Sequence, residues 1–141
     1  MKYTYVFRGE VASKKNSRVM ALVNGRRLLI PSRKYREWEK VAKQVIMASQ
    51  RPERPLEAAT LSMTIYHGDM VKRDSNNATQ GVQDVLVEMG VLSDDNWMVI
   101  GTPTVQHRID VTDPRLVVDV VPAPAIDWRS VFKAARKAAK G

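Results

Sequence analysis

The residues best suited to chemistry lie in the stretch VKRDSNNATQGVQDVLVEMGVLSDDNW, residues 71–97. Asp74 follows the basic pair Lys72-Arg73, and the double acid Asp94-Asp95 stands near the end of the stretch. Grouped carboxylates can hold Mg²⁺ against a phosphodiester, where the ion supplies a nucleophilic water and stabilises the leaving oxygen. Each part also has an ordinary structural explanation, because an Asp before Ser75 suits a helix N-cap and Asp-Asp suits a solvated turn. Residue types and spacing alone leave both explanations open.

Charge is distributed unevenly along the chain, whose formal net charge is +8. Residues 1–54 carry 14 Lys/Arg and 4 Asp/Glu, whereas residues 55–98 carry 2 and 7. Residues 99–141 are basic again, with 7 Lys/Arg and 4 Asp/Glu. A basic body around an acidic centre suits a protein that attracts a polyanion and places metal ions against it. A basic ribosome-type protein or an unrelated RNA-binding domain is the alternative that composition leaves open.

Composition excludes several other classes of protein and of site. The chain has no cysteine, so neither disulfides nor a thiolate zinc site can hold it together. The start MKYTYVFRGE lacks the apolar segment of a secretion signal, and no apolar run approaches the length of a membrane span. We therefore expect a soluble, cytoplasmic protein. His67 and His107 lack His-x-x-His spacing and are not predicted to be metal ligands.

A helix over residues 76–89 must position the acids. Apolar residues recur at helical spacing, and a polar stripe runs beside them; the two sets are Ala78, Val82, Val85, Leu86 and Met89, and Asn77, Gln80, Asp84 and Glu88. Gly90 is placed to end the helix with a left-handed residue. Such a helix is about 21 Å long, and residues 90–95 span at most about 20 Å. The loop can therefore just return Asp95 toward Asp74; alternatively, Asp95 of a second subunit completes the site.

Shorter signals predict the remaining elements. Strands are expected over residues 3–8, 58–68, 97–110 and 114–122, with the last two antiparallel to each other. Asn24-Gly25 predicts a β-hairpin within residues 19–30. Ser32 is a predicted N-cap for a first helix, whose apolar stripe would be Tyr35, Trp38, Val41, Ala42, Val45 and Ile46.

The order of these elements predicts the fold class. We expect a small single domain of the α+β (mixed α/β) class, with a mixed β-sheet and two main helices, over residues 1–122. Residues 123–141 are expected to form a basic helical tail, in which Asp127 caps a short helix. Trp128, Val131, Phe132 and Ala135 would share one side of that helix, which could contact DNA phosphates or dock on a partner subunit.

The order of motifs in residues 72–97 resembles the RusA family of Holliday junction resolvases of phages and prophages. The matching residues, in order and spacing, are Arg73, Asp74, Asn77, Asp84, Gly90, Val91, Asp94 and Asp95. The likeness extends over roughly residues 1–120, including the strand, basic loop, hairpin and the Ser32-to-Tyr35 helix start. It implies a homodimeric, Mg²⁺-dependent endodeoxyribonuclease, with Mn²⁺ able to substitute. Such an enzyme resolves four-way junctions and branched DNA by paired cleavage during recombination and repair, in a bacterial or phage-infected cell.

The resemblance also assigns site residues, with two departures from the family pattern. It implies Asp74, Asn76 and Asp95 as catalytic positions, and Asp74, Asn76, Asp94 and Asp95 as metal ligands. Asn76 stands where the family has a second acid, and an amide oxygen can ligate Mg²⁺ but brings no charge and cannot act as a base. Gln80 replaces a family lysine. The alternative expectation is therefore a weak or inactive relative that binds branched DNA without cutting it.

Basic residues around the acids are the candidate DNA contacts, because a cluster of acids repels DNA unless cations surround it. Each phosphate that is neutralised steepens the salt dependence of binding. The predicted contacts are Lys14, Lys15, Arg18, Arg26, Arg27, Lys72, Arg73 and Gln80, with Arg33 and Arg36 on the first helix as further candidates. Arg73 is the strongest of these predictions because it adjoins Asp74.

Overall fold

A computed structural model describes residues 1–10, 18–71 and 75–141. The elements, in chain order, are β1 (Tyr3–Arg8), β2 (Arg18–Val23), β3 (Arg26–Pro31), α1 (Arg33–Ala48), β4 (Ala59–His67), α2 (Ser75–Glu88), α3 (Trp97–Ile100), β5 (Thr104–Ile109), β6 (Arg115–Pro122) and α4 (Trp128–Lys140). Strands β1, β6, β4 and β5 form a four-stranded sheet in that order, and β2 and β3 form a separate two-stranded sheet. The predicted α+β class with a mixed sheet is confirmed.

The four-stranded sheet supplies one wall of the hydrophobic core. Alternate residues of β1, β4 and β6 are buried, as the period of two in a strand requires. Leu61, Met63 and Ile65 of β4 share the buried face. Helices α1 and α2 pack on this face, where Ala42, Ile46 and the α2 residues Val82, Val85 and Leu86 belong to the same core.

The last two strands do not pair with each other, so that prediction was wrong. Strand β6 lies between β1 and β4 and is antiparallel to both, whereas β5 pairs in parallel with β4 at the sheet edge. A parallel neighbour requires a long crossover, which the α2–α3 segment provides. The predicted strand over residues 97–110 is also shorter than expected, because Asn96 caps a helical turn over Trp97–Ile100 and β5 begins only at Thr104.

Local signals at the hairpin and at α1 were read correctly, with one exception. Asn24 and Gly25 both have positive φ, 51° and 76°, as the predicted two-residue turn requires. The Ser32 side chain accepts a hydrogen bond of 3.2 Å from the Tyr35 backbone N–H and caps α1. Val41 was wrongly assigned to the buried stripe; it is 57% exposed, because the core-facing arc of α1 is narrower than the run of apolar residues.

Helix α4 is amphipathic and none of its residues is buried. The Asp127 side chain accepts hydrogen bonds from the Ser130 backbone N–H at 3.3 Å and hydroxyl at 2.7 Å, which confirms the predicted cap. Among the described residues, no helix has both the length and the apolar character needed to cross a membrane.

Candidate active site at the acid loop

The chain reverses direction after α2, and the Asp94-Asp95 pair lies in the segment that turns back. Gly90 has φ of 75° and ends α2 in the left-handed conformation, as predicted. Leu86 accepts backbone hydrogen bonds from Val91 and Leu92, at 2.9 and 3.3 Å. Leu56 then fixes the returning segment, since it donates to the Val91 carbonyl and accepts from the Ser93 N–H, both at 2.9 Å. Residues 93–96, which we call the acid loop, therefore follow directly on Val91 and Leu92, which are buried and held by backbone hydrogen bonds.

Asp94 organises the acid loop through both of its carboxylate oxygens. The Asp95 backbone N–H donates to Asp94 Oδ1 at 2.7 Å, and Asn96 Nδ2 donates to Asp94 Oδ2 at 3.1 Å. These bonds, the backbone one first, hold the pKa of Asp94 below its usual range. Asn96 in turn accepts from the backbone N–H groups of Met98 and Val99, at 2.9 and 3.3 Å. The loop geometry is thus set by Asp94 and Asn96 together.

Asp95 occupies the opposite electrostatic environment. Burial raises its pKa above the usual range, and the neighbouring Asp94 carboxyl and the charge of Asp84 raise it further. Among residues 1–10, 18–71 and 75–141, no cation is one of the groups that shift its pKa. Asp84 lies four residues before the end of α2, and its charge acts on Asp95 because the chain turns back after Gly90. The anionic form of Asp95 is disfavoured, and a cation placed beside it would relieve that cost.

The polar stripe of α2 faces α1 as well as solvent. Lys43 of α1 bridges Glu39 at 3.2 Å and Glu88 of α2 at 2.7 Å. Burial raises the pKa of the Tyr35 hydroxyl, and the charges of Glu39 and Asp84 raise it further. Gly81 allows this close approach of the helices, because a Cβ there would lie 2.9 Å from Tyr35 Cε2. The packing of α1 therefore fixes the position from which Asp84 acts on Asp95.

The predicted site residues fall into three groups. Asp94, Asp95 and the exposed side chains of Gln80, Arg26 and Arg27 are described. Asn76 lies in the first turn of α2 and Arg18 begins β2, but their side chains lie outside the described part of the chain. The other predicted residues lie outside the described ranges altogether: Lys14, Lys15, Lys72, Arg73 and Asp74. Asp95 thus lies within electrostatic range of Asp84, and the relation of Asp94 and Asp95 to Asp74 stays a prediction.

The donor set can be tested against the chemistry of Mg²⁺. Carboxylate oxygens are the hard donors that this ion prefers. Among residues 1–10, 18–71 and 75–141, no group of three or more Asp, Glu or His side chains could hold a metal ion. Asp94 and Asp95 fit as part of a ligand set, which the predicted ligands Asp74 and Asn76 would have to complete.

Two contacts of the fold were not anticipated from sequence. Trp97, two residues after Asp95, meets Trp128 of α4 edge-on, with ring centroids 4.9 Å apart. The predicted apolar side of α4 thereby lines a cleft with α3, which places the tail beside the acid loop. On neighbouring strands, His67 Nε2 and His107 Nδ1 form a hydrogen bond of 2.9 Å. Neither pairing has a local signal, because each joins residues that are far apart in the sequence.

Comparison with protein-family models finds no match for this chain. The curated proteins likewise offer no match.

Proposed function

We propose that the protein is a Mg²⁺-dependent, structure-specific endodeoxyribonuclease that resolves four-way junctions and other branched DNA by paired phosphodiester cleavage. The observation that carries the proposal is the acid loop. It follows the turn at Gly90 and holds Asp94 by hydrogen bonds, and burial, the Asp94 carboxyl and the charge of Asp84 raise the pKa of Asp95. An acid whose pKa is raised by burial and by neighbouring acids, in a strongly basic protein, is typical of a functional site. The substrate would be met inside a bacterial or phage-infected cell.

The proposed site divides its work among the chain's own residues. Asp95 and Asp74 would bind the ion, with Asn76 and Asp94 assisting. The ion would supply an activated water and stabilise the leaving oxygen. The Asp94 side chain is held in place, because both of its carboxylate oxygens accept hydrogen bonds within the loop. Its role is therefore to hold the backbone that presents Asp95 to the scissile phosphate.

Basic residues would overcome the repulsion between the acids and DNA. Arg26 and Arg27 are exposed on the hairpin, and Arg33 and Arg36 on α1. Lys14, Lys15, Arg18, Lys72, Arg73 and Gln80 remain proposed contacts on the strength of the sequence. A protein that uses several of them should lose affinity steeply as salt rises.

A four-way junction has two-fold symmetry, so paired cuts call for two sites and hence a homodimer. Heterodimers of one Asp74→Asn and one Asp95→Asn subunit test whether each site lies within one subunit. The turn of the chain after α2 favours a site within one chain. In that case each subunit of the purified heterodimer lacks one acid of its own site, and the heterodimer should be inactive. If the sites are shared, one of the two sites stays intact and single nicks appear.

Cleavage of a synthetic four-way junction tests the function itself. With Mg²⁺ or Mn²⁺, we expect paired symmetric nicks that disappear in Asp95→Asn and Asp74→Asn. Glu53→Gln, which removes an exposed acid elsewhere, should cut normally. Loss of a metal-binding carboxylate is expected to slow cleavage by at least about a hundredfold. Equal binding to a junction and to linear duplex, with no nicks, would refute the proposal.

The identity of residue 76 favours a second candidate, a junction-binding protein that does not cut. Asn76 supplies an amide where the resemblance implies a carboxylate, so the ion would be held by less negative charge. For this candidate we expect tight junction binding without nicks and the appearance of cleavage in Asn76→Asp. If wild type cuts and Asn76→Asp cuts no faster, the second candidate is excluded.

A further inference from the structure

The β2–β3 hairpin carries an apolar surface that the fold itself does not use. Met20 pairs with Leu29 and Leu22 with Arg27, so these four side chains share one face. Leu22 is 74% exposed, Met20 65% and Leu29 58%. We call this set the hairpin surface. In the described part of the chain, the hairpin joins neither edge of the four-stranded sheet and contributes nothing to the core.

An isolated two-stranded hairpin is marginally stable in water, and clusters of exposed apolar side chains mark binding sites. The hairpin surface is therefore expected to meet a partner. Charge identifies the chemistry of that partner, because residues 18–31 contain three Arg and no acid. The helix that follows begins with further exposed cations, Arg33, Lys34 and Arg36. The partner must accept both apolar side chains and positive charge.

A second copy of the chain is a poor match. One other group of exposed apolar residues lies on α3 and α4, and α4 carries five Lys/Arg and no acid. Pairing that helix with the hairpin, or two hairpins with each other, would oppose surfaces of the same sign. An anionic partner with accessible apolar faces fits both properties. Nucleic acid with unstacked bases has this character, since base faces are apolar and phosphates flank them.

The geometry also separates unstacked DNA from ordinary duplex. A two-stranded ribbon can enter the major groove of duplex DNA, but there it reads polar base edges. The hairpin surface offers Met20, Leu22 and Leu29, which cannot donate or accept such hydrogen bonds. Apolar side chains instead act as wedges between base steps. Leu22 and Arg27 stand close to the turn, so the wedge and a phosphate-binding cation would arrive together.

We propose that the hairpin inserts Leu22 and its apolar neighbours Met20 and Leu29 between unstacked bases at a DNA branch point, while Arg26 and Arg27 bind the flanking phosphates. This inference deepens the proposed function, because it assigns recognition of the branch to an element apart from the acid loop. Each strand of the hairpin has six residues and is therefore about 20 Å long.

Fluorescence of 2-aminopurine tests the proposal without requiring cleavage. Wild-type protein is mixed, in EDTA, with a four-way junction that carries 2-aminopurine at the crossover, and with a linear duplex that carries it at the matching position. We expect binding to raise the junction signal several-fold and to leave the duplex signal unchanged. Leu22→Thr with Leu29→Thr, which keeps strand propensity, should abolish the rise and weaken junction binding about tenfold. Met47→Gln, at an exposed site on α1, is the matched control and should behave as wild type.

The two arginines give an independent readout. Arg26→Gln with Arg27→Gln should weaken binding to both DNAs and reduce the slope of log affinity against log salt by about 2. Circular dichroism and melting temperature establish that each variant remains folded. An unchanged fluorescence rise in the leucine variant would overturn the inference. So would a change of its mass in solution without DNA, because the hairpin surface would then bind a second copy.

The inference and the proposed function can fail separately. A protein that cuts junctions without disturbing the crossover base refutes the hairpin inference alone. A protein that unstacks the base through Leu22 and Leu29 but never cuts with Mg²⁺ refutes the nuclease and leaves the inference standing.

Discussion

Replacing Gly81 by alanine tests the packing that positions the acids of α2. The new Cβ would lie 2.9 Å from Tyr35 Cε2 and 3.0 Å from the Tyr35 hydroxyl oxygen. Carbon atoms in ordinary contact are about 3.5–4.0 Å apart, so the ring or the helix must move by at least about 0.6 Å. Tyr35 has no free space in which to do so, because it is fully buried and its ring lies 5.7 Å from that of Trp38.

Two opposing effects set the size of the change. Alanine is favoured over glycine within a helix by about 1 kcal/mol. Overpacking a filled core costs about 1–3 kcal/mol. The balance predicts that Gly81→Ala lowers the free energy of unfolding by about 1 kcal/mol and the melting temperature by roughly 3 °C. At an unconstrained helix position, the same substitution would raise both.

Denaturant unfolding of a double-mutant cycle isolates the contact. In a Tyr35→Leu background the side chain no longer reaches Gly81, so Gly81→Ala should become stabilising by about 1 kcal/mol. The expected coupling between the two sites is thus about 2 kcal/mol. If Gly81→Ala stabilises the wild-type protein, or has the same effect in both backgrounds, the close approach of α1 and α2 at Tyr35 is refuted.

Three further predictions concern the acid loop. Asp84→Asn should lower the pKa of Asp95 toward its usual range, because one of the charges that raise it is gone. An NMR titration of the Asp95 carboxyl measures this pKa. An unchanged value would contradict the electrostatic influence of Asp84 on Asp95. Asp95→Asn should stabilise the fold near neutral pH. Because the pKa of Asp95 is raised in the folded protein, its contribution to stability is present in acid and is lost as pH rises through that pKa. The stability advantage of Asp95→Asn over wild type should therefore grow as pH is raised from about 4. A constant difference between the denaturation midpoints of the two proteins at all pH values would contradict this prediction. Asn96→Ala should cost about 1 kcal/mol through loss of the α3 cap and of its bond to Asp94. Asn96→Ser, which keeps a capping oxygen and adds no charge, should lose less in thermal unfolding.

Local signals were sufficient where a few neighbouring residues determine the backbone. Asn24-Gly25 specified its turn, Ser32 and Asp127 their caps, and Gly90 the end of α2, since each acts within one turn of chain. The period of apolar residues likewise identified β1, β4, α1 and α2. The exposed Val41 shows that the spacing of apolar residues identifies which side of a helix is buried more reliably than how wide the buried side is.

Long-range contacts account for what sequence reasoning missed. Residues 97–100 read as a strand because they are apolar, but the Asn96 cap and the contact with Trp128 hold them as a helical turn. Strand β5 pairs with β4 and not with β6, the strand that follows it in sequence, and no local pattern encodes that choice. Asp84 was read as part of a polar stripe, and its effect on Asp95 depends on how Leu56 anchors the returning chain.

The two acids of the Asp94-Asp95 pair are adjacent in sequence but have opposite electrostatic environments. Asp94 is stabilised as an anion by hydrogen bonds from the loop it organises, whereas Asp95 is destabilised as an anion by burial and by Asp84. A residue held in the ionised form by its own loop gains little from a cation. A residue whose charge is disfavoured gains more, so a metal ion or another cation would act chiefly on Asp95. These environments favour a positioning role for Asp94 and a binding role for Asp95 in the proposed site, where the cost of keeping Asp95 ionised would contribute to the affinity for a cation.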